Sequence, residues 1–423
     1  MPNYAGVLAT EGSSNADVTV LISTKPDIFA ADKARVYFKH TFNKEATGIA
    51  WAPFRICPVG AHVDHQYGHV AAAAIGIGIT VAFRPRDDHL VRIYSHAMEE
   101  TGEFGTEHVR PKEGIWLDYA KGAVVACKDL VGLKTVRGID CVVIGGAMGA
   151  GLSSSAAVGL VYTLAVASVN GLQLSDQDLI AHDAYIEQRY MGLNNGTLDP
   201  ATIVLAKADR LCLVETRNNA VTYHRGGTPF QFIVMFSGIS EALTPANFNQ
   251  RVQESWQAAE ELKRFASKDI DAPRLGDFGY AEYEEGRHRL SPVSRRRAEH
   301  FFSETRRVSR SIDAWEQGDI SSLGQLMRES AASSIVNYEC GATPVKDLVS
   351  ILNETPGVAG ARFCGPGFRG CCVALLEAAY VNARAQAAVF RAAKKDFADV
   401  HKELADLSWM LPCDIADGAR LVE

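Results

Sequence analysis

Between residues 145 and 151 the chain reads Gly-Gly-Ala-Met-Gly-Ala-Gly, and it continues through Leu152, Ser153, Ser154 and Ser155 into an alanine-rich apolar stretch. No other feature constrains the fold as much. A β-like pattern at 138–144 precedes the loop, and the run 153–169 after it reads as a helix buried on most sides, closed by Asn170-Gly171 in the manner of a C-cap. A glycine loop that opens a helix presents unpaired backbone N–H groups and a positive dipole end, so phosphate is its natural ligand. Glycines let the backbone approach phosphate oxygens, and serine hydroxyls can donate to them or ligate Mg²⁺. The competing reading is a helix-packing loop whose serines only cap. It is not a Walker loop, because no Gly-Lys-Ser/Thr follows.

At 423 residues, with 47% hydrophobic and 22% charged, the chain has material for one large core or two medium ones, and two domains is the expectation. The net charge of −7, with both signs interspersed, provides no broad cationic face for nucleic acid or an anionic membrane. The N-terminus lacks a basic start followed by an apolar block, and the apolar run 70–83 is too short and glycine-broken to span a bilayer, so a cytoplasmic protein is expected. Nine cysteines without CxxC spacing read as reduced core residues. A helix at 32–42 leads to a strand at 48–56, a polar turn at 57–69 and a strand at 70–83. Helices are expected at 116–130 and 175–189 and strands at 210–215 and 230–236. Beyond about residue 240, charged amphipathic helices follow at 249–267, 294–316 and 321–334, then a strand-loop-strand at 360–377 and a helix at 380–395. The division expected is 1–225 and 226–423.

Two further loops carry polar chemistry. Gly365-Pro366-Gly367-Phe368-Arg369-Gly370 matches G-x-G-x-x-G but runs into the apolar, β-like 371–376 instead of a helix, which disfavours a dinucleotide fold. It reads either as a tight glycine turn approaching a ligand or as a plain β-hairpin. At 55–64 (RICPVGAHVD), Arg55, His62 and Asp64 lie on or beside a turn at a strand end, where they can face a ligand or form a solvated turn. Strand-turn spacing does not aim His62, Asp64, His65 and His69 at one metal. Glu187 falls near a helix end and Asp199 in the loop 192–200; such carboxylates can take a proton from an attacking hydroxyl or hold Mg²⁺, although Asp before Pro also starts turns.

Taken in order, the three loops resemble the motifs of the GHMP kinase superfamily, most closely those of galactokinases and plant-type galacturonokinases, over nearly the whole chain. Residues 55–64 resemble the sugar-binding motif, 149–157 the ATP loop and 362–372 (RFCGPGFRGCC) the third motif, with further matches at 192–199, Arg297 and Glu304. The resemblance implies an α+β, two-domain fold: an N-terminal domain like ribosomal protein S5 domain 2 and a C-terminal ferredoxin-like domain, with substrates in the cleft. It implies ATP on Gly149, Ala150, Gly151, Leu152, Ser153, Ser154 and Ser155, Mg²⁺ on Ser155 and Glu187, Asp199 as catalytic base, and Arg55 as the cation stabilising it and the transferring phosphoryl. His62 and Asp64 would bind the sugar.

The departures speak to the acceptor. Galactokinases have glutamate where this chain has Ala61, and that glutamate binds the sugar's C6 hydroxyl; a second carboxylate there would repel a C6 carboxylate. Ala61 therefore suits D-galacturonate, phosphorylated at the anomeric C1 hydroxyl. Galacturonokinases also carry Arg369, where galactokinases have glycine, which makes Arg369 the expected carboxylate partner and His65 the second choice, with a purely structural Arg369 as the competing reading. A tyrosine contacting the C4 hydroxyl in these families falls at Phe248, which keeps the ring and loses the hydroxyl. Galactokinase, arabinokinase and a catalytically inactive sugar sensor are the rivals; the intact Gly-Leu-Ser-Ser-Ser-Ala-Ala, Arg55 and Asp199 favour catalysis. Sugar or sugar acid and ATP are the expected partners, with a monomer as the default.

Overall fold

The computed structural model describes residues 26–145, 151–239 and 245–422. Its first sheet is built on two long strands, β1 (Gly48–Val59) and β2 (His69–Pro85), paired antiparallel. Both are buried along most of their length, so they read as continuous apolar runs and not as alternation. The hairpin β3 (Leu90–Ser95) and β4 (Glu100–Gly105) joins through β5 (Ile139–Gly145), with β3 parallel to β5, and β6 (Arg210–Glu215) and β7 (Ala220–Arg225) extend from the start of β2. Helices cover both faces. On one lies α1 (Pro26–Phe42), whose Ala34 and Phe38 are completely buried against Ile49, Ala82 and Val142. On the other, α2 (Asp118–Val131) and α3 (Ser154–Val169) pack with α4 (Asp176–Ala184) and α5 (Leu198–Leu205); the small side chains of Ala71 to Ala74 in β2 let helices approach that face closely.

The second sheet is antiparallel: β8 (Gln231–Phe236) and β9 (Val358–Phe363) flank β10 (Cys371–Leu376), and β11 (Met410–Cys413) pairs with the outer side of β8. Between the sheets lie the 26-residue α8 (Pro292–Gln317) and α9 (Ile320–Val336), with α6 (Pro245–Ala266) and α7 (Tyr280–Gly286) packed on α8. The second sheet is completed by α10 (Thr343–Glu354), α11 (Ala383–Val400) and the short α12 (Lys402–Leu407). Gly324 of α9 lies directly on the Ala359 carbonyl of β9, where any Cβ would collide with backbone. Trp315, Phe301, Phe302 and Val308 of α8 share one apolar core with Val70, Phe232 and Val234, so α8 welds the two sheets together.

This is the α+β, two-domain architecture expected, with differences in detail. The sheets divide between Arg225 and Gln231, but β12 (Arg420–Val422) returns to pair with β1, Ile49 opposite Val422, so the chain end belongs to the first sheet and not to the second half. The helix expected over 175–189 stays α-helical only to Ala184 and then widens into a π-helical turn, Tyr185–Tyr190. Asp199 sits in the first turn of α5 instead of a loop. The polar turn expected at 57–69 is largely buried: β1 runs on to Val59, and His62, His65 and Gln66 are inside. The strand pair β3–β4 carries Glu100, Thr101 and Glu103 at its exposed edge, which hid it from an apolar pattern.

Candidate active site

Arg55 is the point at which the three loops meet. It lies near the end of β1, almost completely buried; its backbone N–H donates to the Leu152 carbonyl at 3.3 Å, and its Nη1 donates to the Cys364 carbonyl at 2.9 Å. Its Nε donates to Oδ1 of Asp199 at 2.7 Å, and Nη2 lies at the same distance from that oxygen. One residue thus ties the sugar motif to the phosphate loop through its backbone and, through its guanidinium, to α5 and the third glycine loop, 144 and 309 residues away in sequence.

The phosphate loop is described from Gly151 onward; Gly149 and Ala150 lie outside the described residues. Gly151 takes φ +69° and Ser153 φ +58°, left-handed conformations that a sharp entry into α3 requires. Leu152 is an anchor, fully buried. The Ser153 hydroxyl is buried without a partner among the described residues, and Ser154 and Ser155 open the helix. Beside them Glu187 projects from the π-helical turn, a widening that re-aims side chains and recurs at functional sites. Its Oε2 accepts from the Asn195 amide at 2.8 Å, while Oε1 is buried with no hydrogen-bond partner among the described residues. Burial and the neighbouring Asp199 push its carboxyl up to about 7, against the pull of Ser155, Asn195 and Tyr119. One turn back, Asp183 is fully buried, both oxygens without a partner among the described residues, against Gly159, where a Cβ would stand 2.6 Å from Oδ1. Burial, with Glu187 and Asp199 adding, raises it well above the carboxylate range.

The other end is held differently. His62, at φ +62°, stacks on Tyr338 (ring centroids 4.5 Å apart, planes 15° apart), and its Nε2 lies 3.4 Å from the Cys340 thiol. His65 Nε2 bonds the Tyr338 hydroxyl at 2.9 Å and its Nδ1 meets the Gln66 amide at 3.1 Å. Burial lowers His65 to about 3, so it is neutral with both nitrogens engaged, and the second-choice role as carboxylate partner is lost. Ala61 is buried, its carbonyl accepting from His300 Nε2 at 2.9 Å, and the Gly60 N–H donates to Glu304 at 2.7 Å. Glu304 in turn binds Arg307 at 2.7 Å, Ser330, and Arg362 at 3.5 Å. Burial opposes its charge, but Arg307, His300 and Arg362 outweigh that and bring it to about 2. Asp64 accepts from the Leu198 N–H at 3.4 Å over Gly196, where a Cβ would come within 2.5 Å of its carboxylate. Burial and Asp199 raise it to about 6. Phe248 is half-buried at the start of α6, which Asn249 ties to the Asn194 N–H (3.0 Å) and the Gly192 carbonyl (3.2 Å).

The Arg369 backbone packs on Gly151, and the Tyr119 phenol bears on its guanidinium, so this expected carboxylate partner has its backbone at the start of the phosphate-loop helix. Sequence reasoning also missed His300, Arg362, Tyr338, Tyr119, Asp183 and Asn195. Asp183, four residues before Glu187, had helical spacing as its signal; Tyr338, in a short segment after α9, had none.

A phosphate loop on a helix start, a carboxylate paired with a buried arginine, and two further loops converging on them define a kinase of the GHMP class. Residues 118–207 match the GHMP kinases N terminal domain, 311–398 the GHMP kinases C terminal domain, and 37–85 the galactokinase galactose-binding signature. The chain belongs to the galactokinase family of this superfamily, ATP-dependent phosphotransferases with an alcohol group of a sugar as acceptor. It is 36% identical to the galacturonokinase of Arabidopsis thaliana over 412 residues, covering 90% of this chain and 95% of the relative. It is 30% identical to the galactokinase of Exiguobacterium sibiricum over 346 residues, covering 80% and 87%. Lactococcus lactis galactokinase, solved with galactose, superposes with a TM-score of 0.82 at 25% identity, covering 93% of this chain and 99% of that one. Methanococcus jannaschii mevalonate kinase, at 14% identity and TM-score 0.61, shares the fold (87% and 98% covered). Among the described residues no helix is long and apolar enough to cross a membrane.

Proposed function

We propose that this protein transfers the γ-phosphoryl group of ATP to the anomeric C1 hydroxyl of D-galacturonate, giving galacturonate 1-phosphate and ADP. The observation that carries this reading is Ala61: a buried methyl, its backbone clamped by His300, at the position where galactokinases present a glutamate to the sugar's C6 group. No carboxylate at 61 repels an acceptor that is itself a carboxylate, and the likeness to a galacturonokinase over nearly the full chain points the same way.

In this mechanism the Asp199 carboxylate takes the proton of the C1 hydroxyl as its oxygen attacks phosphorus. Arg55, 2.7 Å away, orients Asp199 and offers positive charge where the transferring group gains negative charge. Asp64 accepts from sugar hydroxyls and His62, fixed by its stack on Tyr338, completes the ring's seat. The loop 149–155 receives the phosphates on backbone N–H groups and serine hydroxyls. Mg²⁺ would be held by the Ser155 hydroxyl and Glu187, whose buried, unpartnered Oε1 fits a cation; bound there it would neutralise phosphate charge. Nine free, buried cysteines suit a reducing, cytoplasmic setting, and one chain holds every residue invoked, in keeping with a monomer.

A coupled ADP-release panel with galacturonate, glucuronate, galactose and arabinose tests the reading. Galacturonate is expected to be turned over best; galactose as best substrate overturns the Ala61 argument. Phe248 favours a secondary activity on glucuronate, because an aromatic ring without a hydroxyl cannot read the C4 configuration by hydrogen bonding.

A further inference from the structure

The phosphate loop holds no lysine or arginine: from residue 145 to 155 it is glycine, alanine, methionine, leucine and serine. Any side-chain cation for the triphosphate has to come from elsewhere in the fold. The third glycine loop, 364–370 between β9 and β10, is pressed against the start of that helix along its backbone. A Cβ on Gly151 would stand 3.2 Å from the Arg369 carbonyl oxygen and 3.3 Å from the Gly370 Cα, and one on Gly365 would stand 2.9 Å from the Gly151 carbonyl oxygen. Gly370, at φ +87°, donates its N–H to the Ile239 carbonyl and accepts from the Ser237 N–H, both at 3.1 Å. The backbone of Arg369 is therefore fixed at the seam of the two loops.

Its side chain is half-buried on the same side. Burial lowers the guanidinium and the Tyr119 phenol opposes that shift, while Tyr119 itself is coupled to Ser155 and Glu187. Arg369 thus shares its neighbourhood with the helix start and the carboxylate at the phosphate end. The arginines that bear on His62 are instead Arg362 and Arg55.

We infer that Arg369 is a nucleotide-binding residue whose guanidinium takes the β- and γ-phosphates of ATP, and that it does not read the carboxylate of the sugar acid. A planar guanidinium matches phosphate oxygens bidentately, and at this seam it supplies the charge that the loop's own sequence lacks. The same position keeps positive charge on the β-phosphate as the bridging oxygen leaves with ADP. The inference rests on phosphoryl transfer from ATP and is independent of which sugar accepts.

The test uses the full chain and separates the two ligands: titration calorimetry of ADP without sugar, and of galacturonate without nucleotide, for the parent, Arg369→Ala and Arg369→Lys. Loss of a charge-assisted contact predicts ADP binding about 10- to 100-fold weaker in the alanine variant, partly restored by lysine, with galacturonate affinity within about twofold. ADP affinity within twofold of the parent, or a loss confined to galacturonate, overturns it. If the alanine variant fails to fold, Arg369→Gln gives the same reading, because it keeps most of the stem and removes the charge. A parent that binds ADP but not galacturonate would sink the proposed acceptor and leave this inference standing.

Discussion

The acceptor end and the phosphate end of this site are built on opposite principles. Around Ala61, His62 and His65 nearly every buried polar group has found a partner: His300 spans the Ala61 carbonyl and Ser333, Tyr338 is stacked by His62 and bonded by His65, and Glu304 is saturated by Gly60, Arg307, Ser330 and Arg362. Around α3, by contrast, the Ser153 hydroxyl, both Asp183 oxygens and Glu187 Oε1 are buried and unpartnered among the described residues, and the carboxyls are pushed toward their neutral forms. Folding alone completes the end proposed to read the sugar. The end proposed to receive the phosphates keeps buried polar groups without partners among the described residues, and bound ligand would complete it.

Arg55–Asp199 bridges the two ends, so breaking it should have the largest effect. Asp199→Asn is expected to lower kcat by about 10²- to 10⁴-fold, the usual contribution of a general base, while galacturonate binding stays within a few-fold; initial rates with binding titrations check this. A kcat within tenfold of the parent would remove Asp199 from the chemistry.

The satisfied end is probed by Glu304→Ala, which strands Arg362 and frees Gly60. Removing one partner of a buried ionic network typically costs about 3–5 kcal/mol, so denaturant unfolding should show a loss of that order, with ADP binding by any surviving folded protein nearly unchanged. Because the folded-state Glu304 sits at about 2, below its ordinary value, its contribution is present above the usual carboxylate range and is lost as pH falls toward 2. A loss under about 1 kcal/mol would show that the network is not what holds the sugar turn.

The unfinished end gives the smallest expected effect and the opposite sign. Asp183→Asn removes an ionisable group that burial raises well above its ordinary value. A raised carboxyl favours the fold below its unfolded pKa and penalises it as pH climbs toward the folded one. The variant should therefore be more stable than the parent at pH 8, by about 1 kcal/mol or more, with the gain vanishing near pH 4; thermal unfolding across that range reads it. A variant less stable than the parent at pH 8 would mean that Asp183 has a partner in the folded protein.

Much of this was legible in the chain itself. Glycine followed by serines before an apolar helix states a phosphate site locally, because backbone freedom and a helix start are properties of adjacent residues, and Arg55, Asp64, Glu187 and Asp199 stood out as polar groups in the loops or helix ends flanking it. The α+β class followed from the family resemblance that the three motifs in order carry. The hairpin β3–β4 and α5 escaped, the first because its outer strand is polar, the second because Asp-Pro reads as a turn although Pro is at home in the first turn of a helix.

What the sequence determined by itself is the set of groups on offer: a glycine-serine loop without a cation of its own, Arg55 and Asp199 in two further motifs, and a methyl at position 61. What only the tertiary structure decided is which end each side chain serves. It neutralised His65 between Tyr338 and Gln66, joined three loops through Arg55, buried Asp183 without a partner, and carried Arg369 to the phosphate seam. Desolvation and long-range contact set those roles, and both depend on residues hundreds of positions apart coming within a few ångströms, which no local pattern encodes.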